Sequence, residues 1–251
     1  MTLMRFEFLK IKRVLALHLV YIVPLSISAI GTWELMKSIT SSTKAIRIQP
    51  FSVFYFQFYV IFSPIILLLI LFPLIQIENK NHMWESNLLL PIRKAKLYLG
   101  KICVSVIFVI SYCLISYFSY TTGILLCSAF YPGKILLNHT DNIIIILFFS
   151  RTFVSFILYS FLAIPVFIFV ESAITSLGTF FFCFLLSIFL TQATWYEFYP
   201  FSYHITVLNT YKREYVLSQD KGLLITLIYI ILAFISGIFL FINFSRQSVK
   251  N

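Results

Sequence analysis

The sequence predicts an all-α polytopic membrane protein: six transmembrane helices with both termini on the cytoplasmic side. Three observations predict it. Of the 251 residues, 60% are hydrophobic and only 11% are charged, with a mean hydropathy of +0.95. So little charge cannot coat a soluble domain of this size. The apolar residues fall into six runs, each long enough to cross a hydrocarbon core of ~30 Å, which takes about 20 residues at ~1.5 Å each. None of the runs alternates as a transmembrane barrel strand would, so the backbone must satisfy itself in lipid as helix. No polar block is long enough to fold separately, and residues 1–251 read as one domain.

Residues 1–13 come first. Met4, Phe8, Ile11 and Leu15 follow i, i+4, i+7, i+11 spacing and form an apolar stripe. Arg5, Glu7, Lys10, Lys12 and Arg13 lie off it, as do Leu3, Phe6 and Leu9, so the separation is imperfect. This reads as an amphipathic helix on the inner membrane surface. The first span is Val14–Trp33. Its basic approach and Ser26-Ile27-Ser28-Ala29 weakly resemble a signal peptide, but 20 apolar residues exceed a usual signal core, so it reads as a retained helix.

The other spans are Phe51–Ile77, Ile102–Phe130, Ile143–Val170, Ala173–Thr194 and Leu223–Phe244. Pro24, Pro64, Pro73 and Pro165 fall inside spans, where they remove backbone bonds and permit kinks. Only Glu171 and Ser172 interrupt the run from Ile143 to Thr194, so a tight inner turn is expected there, with Glu171 at the surface. Residues 195–222 form an outer segment rich in aromatic rings: Trp195, Tyr196, Phe198, Tyr199, Phe201 and Tyr203. Such rings favour the headgroup level. Short helices dipping into the outer leaflet and broken at Pro200 are expected; a plain aromatic belt is the alternative.

Charge sets the orientation. With the N-terminus inside, the inner segments hold eleven basic residues: Arg5, Lys10, Lys12, Arg13, Lys80, Arg93, Lys94, Lys96, Lys101, Arg246 and Lys250. The outer loops hold seven: Lys37, Lys44, Arg47, Lys134, Lys212, Arg213 and Lys221. The two densest clusters are both inside, as the positive-inside rule requires. The net charge of +10 is thus accounted for by orientation and anionic headgroups, and no nucleic-acid partner is expected.

Arg151 would lie about 12 Å into the fourth span if that helix began at Ile143. A charge at that depth costs ~2.5–3.5 kcal/mol or more. A less costly arrangement lets Thr152–Val170 span alone, with Ile143–Phe149 at the outer interface and Arg151 snorkelling to headgroups. The alternative is an arginine facing a translocation path, which makes Arg151 and Glu171 the candidate pathway residues.

Catalytic constellations are missing. There is no GxxxxGK[ST] and no HExxH, and His18, His82, His139 and His204 are scattered. Cys103, Cys113, Cys127 and Cys183 lie in apolar runs without CxxC spacing, so they read as small buried side chains, not as metal ligands or disulfides. No enzyme, no metal site and no cofactor bound by this chain are expected.

What stands out is a polar island, Glu78 to Lys101, between the second and third spans. Trp84 and Leu88 are i, i+4 and share a helix face, Leu89 and Leu90 extend it, and Pro91 ends it. Arg93, Lys94 and Lys96 follow. A short cytoplasmic helix with an aromatic anchor suits a groove on a partner protein. A surface helix that only covers the inner leaflet fits these residues equally well.

The pattern Glu78, Trp84, Glu85, Leu88, Leu89, Pro91, Arg93, Gly100, Lys101 resembles the first cytoplasmic loop of ABC-2 type transporter permeases. The start Glu7 to Arg13, the six spans and the outer segment before the last span are similar to that family too. Size and loop look most like permease subunits of lantibiotic and bacteriocin immunity transporters. Asn81-His82-Met83 stands where many members carry a glycine, so a different bend is expected before Trp84.

The resemblance implies a permease subunit paired with a second one, identical or homologous. A cytosolic P-loop ATPase, carrying ATP and magnesium, would dock on a coupling helix built from Glu78, Trp84, Glu85, Leu88, Leu89, Pro91, Arg93 and Lys101. It would also touch the interfacial helix at Glu7, Phe8, Lys10, Ile11 and Arg13. The cargo implied is an amphipathic antimicrobial peptide expelled across a bacterial plasma membrane. Another cargo (lipid, polysaccharide, ion or drug) and a standalone membrane protein without an ATPase are the competing readings.

Overall fold

Long runs of Ile, Leu, Phe and Val can satisfy their backbone in lipid only within the segment. The computed structural model is accordingly helical. It describes residues 16–41, 46–47, 49–80, 94–136, 139–170, 172–190, 193, 195–203 and 221–247. Six α-helices lie among them: α1 Ala16–Ser41, α2 Gln49–Lys80, α3 Lys94–Phe130, α4 His139–Phe169, α5 Ala173–Phe189 and α6 Lys221–Gln247. Four contain stretches long and apolar enough to cross a membrane: Tyr55–Pro73, Ala95–Phe130, Ile145–Phe169 and Gly222–Asn243. The apolar stretch of α5, Ile174–Phe189, is shorter. The chain is a multi-pass membrane protein.

Two short strands, β1 Ile46–Arg47 and β2 Ile135–Leu136, pair in parallel, Ile46 with Ile135 and Arg47 with Leu136. The approach to β2 is a tight turn over Tyr131-Pro132-Gly133-Lys134, closed by the Lys134 N–H donating to the Tyr131 carbonyl at 3.2 Å. Gly133 has φ +77°, the left-handed conformation that the position after proline needs in a type II turn. The pairing brings the exits of α1 and α3 to one end of the bundle. The end of α2 at Lys80 and the start of α3 at Lys94 are therefore at the other end.

Ring contacts give the helix directions. Phe56 of α2 stacks on Phe148 of α4, and Phe72 meets Phe167 edge-on, so α2 and α4 run the same way. Tyr120 meets Phe149 and Tyr112 meets Phe156, so α3 opposes α4. Phe161 faces Phe234, and Pro165 lies beside Gly237, so α6 runs with α4. Ser28 pairs with Ser119 and Thr32 with Gly123, so α1 runs with α3. The α4–α5 connection is only a few residues, which makes α5 antiparallel to α4. α4 is the centre of the bundle and packs on α2, α3, α5 and α6, whereas α1 lies against α2 and α3.

The interior is mostly apolar with serine and threonine hydroxyls set into it, and the outside is apolar as well. α6 presents Leu224, Ile228, Ile231, Ile235 and Phe239 outward, while hydroxyls face in. Most buried hydroxyls donate to their own helix one turn back: Ser105 to Ile102, Thr152 to Phe148, Ser155 to Arg151, Ser160 to Phe156. That satisfies them without a partner helix. Between α1 and α3 the packing is closer. Ser28 Oγ donates to the Ser119 carbonyl at 2.6 Å, and a Cβ at Gly123 would run into Thr32 Cγ2. Small residues let the two backbones approach.

Three sequence expectations change. α4 is continuous from His139, so Ile143–Phe149 is not a separate interfacial piece. Arg151 is 5% exposed and lies within the protein instead of snorkelling to a surface. Hydrophobic packing of Phe148, Phe149 and Phe156 on α2 and α3 extends the helix through that position. α3 starts at Lys94, eight residues before the expected Ile102. α5 stops at Phe189, with Leu190 as its C-cap, and does not run on to Thr194. Its other end matches the expectation: Ser172 is the N-cap and accepts from the Thr175 N–H at 3.4 Å.

Candidate coupling end and bundle interior

α2 runs through Pro64 and Pro73 to Lys80, and α3 begins at Lys94. The island is therefore helical at both margins. Glu78 sits on the last turn of α2 and Lys101 is two turns into α3. α3, at 37 residues, is about 55 Å long against a hydrocarbon core of ~30 Å. Lys94 and Lys96 lie at the end opposite the β1–β2 pair. Lys96 is exposed, while Lys101 is only 1% exposed and packs inside the protein. Trp84, Glu85, Leu88, Leu89, Pro91 and Arg93 lie outside the described residues, as do Glu7, Phe8, Lys10, Ile11, Arg13 and Glu171.

Towards the β1–β2 end, α2, α3 and α4 share an aromatic interior that the sequence pattern alone did not single out. Tyr55 and Tyr59 stack at 6.0 Å, Tyr59 and Tyr112 at 5.9 Å, and Phe156 closes over both Tyr59 and Tyr112. Tyr55 donates to the Ser116 carbonyl at 3.2 Å. The phenols of Tyr59 and Tyr112 face Ser116 and Ser63 without reaching hydrogen-bond geometry. The signal was present: Tyr59 and Ser63 on α2 repeat as Tyr112 and Ser116 on α3, the same Tyr-x-x-x-Ser spacing. On antiparallel helices this places each tyrosine opposite the other's serine. Burying these hydroxyls has a cost of ~1–3 kcal/mol for each left unpaired. They make the α2–α3–α4 seam polar in a way that simple packing does not require.

Beside the middle of α4 and α6, Tyr196–Phe198 forms one 3₁₀ turn and a further turn follows through Pro200. Four phenols pin this segment. Tyr159 of α4 donates to the Phe201 carbonyl at 3.2 Å, and Tyr229 of α6 to the Phe198 carbonyl at 2.6 Å. Tyr199 donates to the Cys183 carbonyl of α5 at 2.8 Å, and Tyr196 to the Ser202 carbonyl at 3.1 Å. Cys183 is about 10 Å back along α5 from its end, so the chain after α5 doubles back beside it. Burial pushes the phenols of Tyr196 and Tyr199 up. Among the described residues no three His, Cys, Asp or Glu side chains converge as a metal site would need.

A family model described as ABC-2 family transporter protein matches residues 3–194. The chain belongs to the ABC-2 transporter family. No curated protein and no solved structure matches it. The match spans α1 to α5 and the whole 78–101 island, so this ABC-2 chain carries its polar end within the part that defines the family.

Proposed function

We propose that this chain is the transmembrane permease subunit of an ATP-driven exporter in a bacterial plasma membrane, most similar to subunits that expel lantibiotic or bacteriocin peptides. Its six helices span the membrane with both termini inside. A cytosolic ATPase docks on the 78–101 loop and the N-terminal interfacial helix and supplies ATP hydrolysis with its own bound magnesium. A second permease subunit completes the pathway. The observation that carries this reading is the ABC-2 family match over residues 3–194. The alternating helix directions, and the position of the basic loop opposite the β1–β2 pair, support it.

The geometry suits force transmission. The helices on either side of the loop, α2 and α3, both pack on α4. A push at the loop moves α2 and α3 along their axes against α4. The seam they share holds the stacked rings of Tyr55, Tyr59 and Tyr112. The 195–203 segment lies beside the middle of the bundle as a re-entrant piece, tethered to α4 and α6 by Tyr159 and Tyr229 and to α5 by its own Tyr199. Arg151, buried in α4, and Glu171, at the α4–α5 turn, are the candidate pathway residues.

Affinity purification in mild detergent, with partners identified by mass spectrometry, tests the assembly. A stoichiometric P-loop ATPase supports the reading. The intact chain recovered alone across several detergents refutes it and favours the standalone alternative. With the complex in hand, Trp84→Ala is expected to lower transport at least tenfold while membrane insertion stays intact.

A further inference from the structure

We propose that Tyr98 is the positioning residue that carries movement of the 78–101 loop into α6 and α4, and that Gly237 is the seat it needs. The inference rests on the permease reading above and adds the route by which the loop reaches the rest of the bundle.

Three features meet at one point. Tyr98 lies in the second turn of α3, at the margin of the polar loop, and is fully buried. Its ring lies 5.6 Å from that of Phe241 on α6. Its tip covers Gly237: a Cβ there would overlap the phenol oxygen, stand 2.8 Å from Cζ and lie 3.2 Å from Pro165 Cγ on α4. Only glycine leaves room for the phenol against bare α6 backbone. Pro165 is the third feature. It has no N–H, so the Phe161 carbonyl loses its i+4 donor and α4 is most easily bent beside the seat.

A large, flat side chain at the base of α3 thus touches α6 at Gly237, where α6 also packs close to Pro165 of α4. Along this contact, axial or rotational movement of the first turns of α3 cannot leave α6 and α4 where they are. The Tyr98 hydroxyl has no hydrogen-bond partner among the described residues. A phenylalanine would fill the same space without burying an orphan donor.

The test uses the purified complex in nanodiscs and a non-hydrolysable ATP analogue as probe. Hydrogen exchange is followed over the first turns of α3 and over residues 221–247, with and without the analogue. In the natural protein both regions should respond. In Gly237→Ala the response near the loop should persist while that of α6 falls at least fivefold. Tyr98→Phe with Gly237→Ala removes the phenol oxygen, the worse overlap, and leaves only the ring tip Cζ, at 2.8 Å, to shift by a few tenths of an ångström. It should restore the α6 response to within about twofold, which also guards against simple misfolding of the single variant.

A full α6 response in Gly237→Ala overturns the proposal, even if that variant melts at a lower temperature, because the contact is then packing alone. An absent response in the double variant, with the loop response intact, overturns the fit between Tyr98 and Gly237. If no ATPase accompanies the chain, the permease reading falls and this proposal falls with it.

Discussion

Replacing Gly123 by leucine tests the α1–α3 seam most directly. A side chain at 123 meets Thr32 Cγ2 first and Ser28 Oγ at 3.3 Å next. Thr32 cannot easily turn away: it is branched at Cβ, and its hydroxyl is held by the Ala29 carbonyl at 2.9 Å. Three terms compete. Leucine gains about 1 kcal/mol over glycine in helix propensity. Overpacking a close contact costs ~1–3 kcal/mol. Separating the helices also loses the Ser28–Ser119 bond, worth about 1 kcal/mol. The net is a loss of ~1–3 kcal/mol. At roughly 2–4 °C per kcal/mol for a chain of this size, the melting temperature falls by about 5 °C.

The assay is thermal unfolding of the detergent-solubilised protein, followed by size-exclusion chromatography. A double-mutant cycle makes the cause specific. Gly123→Ala adds one methyl, and Thr32→Ala removes the methyl it strikes, so the pair should couple by about 1–2 kcal/mol. If Gly123→Leu melts at or above the natural protein, or if Gly123→Ala and Thr32→Ala act independently, the close approach of α1 and α3 is not what glycine provides.

The 195–203 segment gives two further predictions. Tyr159→Phe should free the Phe201 carbonyl in a buried site and cost ~1–3 kcal/mol, and Tyr229→Phe should cost less because its bond is exposed. Faster proteolysis within residues 195–203 reports both. The raised phenols of Tyr196 and Tyr199 mean that the folded protein holds these protons more tightly than the unfolded chain. Their contribution is complete below the ordinary tyrosine value of about 10 and declines as pH rises towards the folded-state values. Trp195 fluorescence should therefore be flat from neutral pH to about 10 and change only above it. A transition at pH 7–9 would refute the burial of these phenols.

How much was readable from the sequence differs by element. α6 is nearly as expected, because Leu223–Phe244 has clear polar flanks that set both ends. The α4–α5 break was also legible, since Ser172 is a good N-cap and few other residues there could interrupt the run. The extension of α3 back to Lys94 was not. Lys94, Lys96 and Lys101 look like loop by charge, yet lysine is a good helix former and Leu97 and Tyr98 are buried by tertiary contacts. Arg151 was misplaced for a related reason. Its cost was weighed against lipid, whereas the folded protein places it inside the bundle.

The sequence by itself determined that this is a helical membrane protein with a basic polar loop between its second and third apolar runs. Composition and run length are local properties, and lipid imposes helix on any chain that carries them. The family resemblance was legible in the same loop. Only the tertiary structure decided which helices face one another. Tyr59 opposite Ser116, Tyr98 over Gly237, and Tyr229 reaching Phe198 join residues far apart in the chain. Apolar helices in lipid have no outward-polar face to mark their orientation. Their mutual arrangement comes from shape and a few hydrogen bonds, which exist only once the bundle is packed.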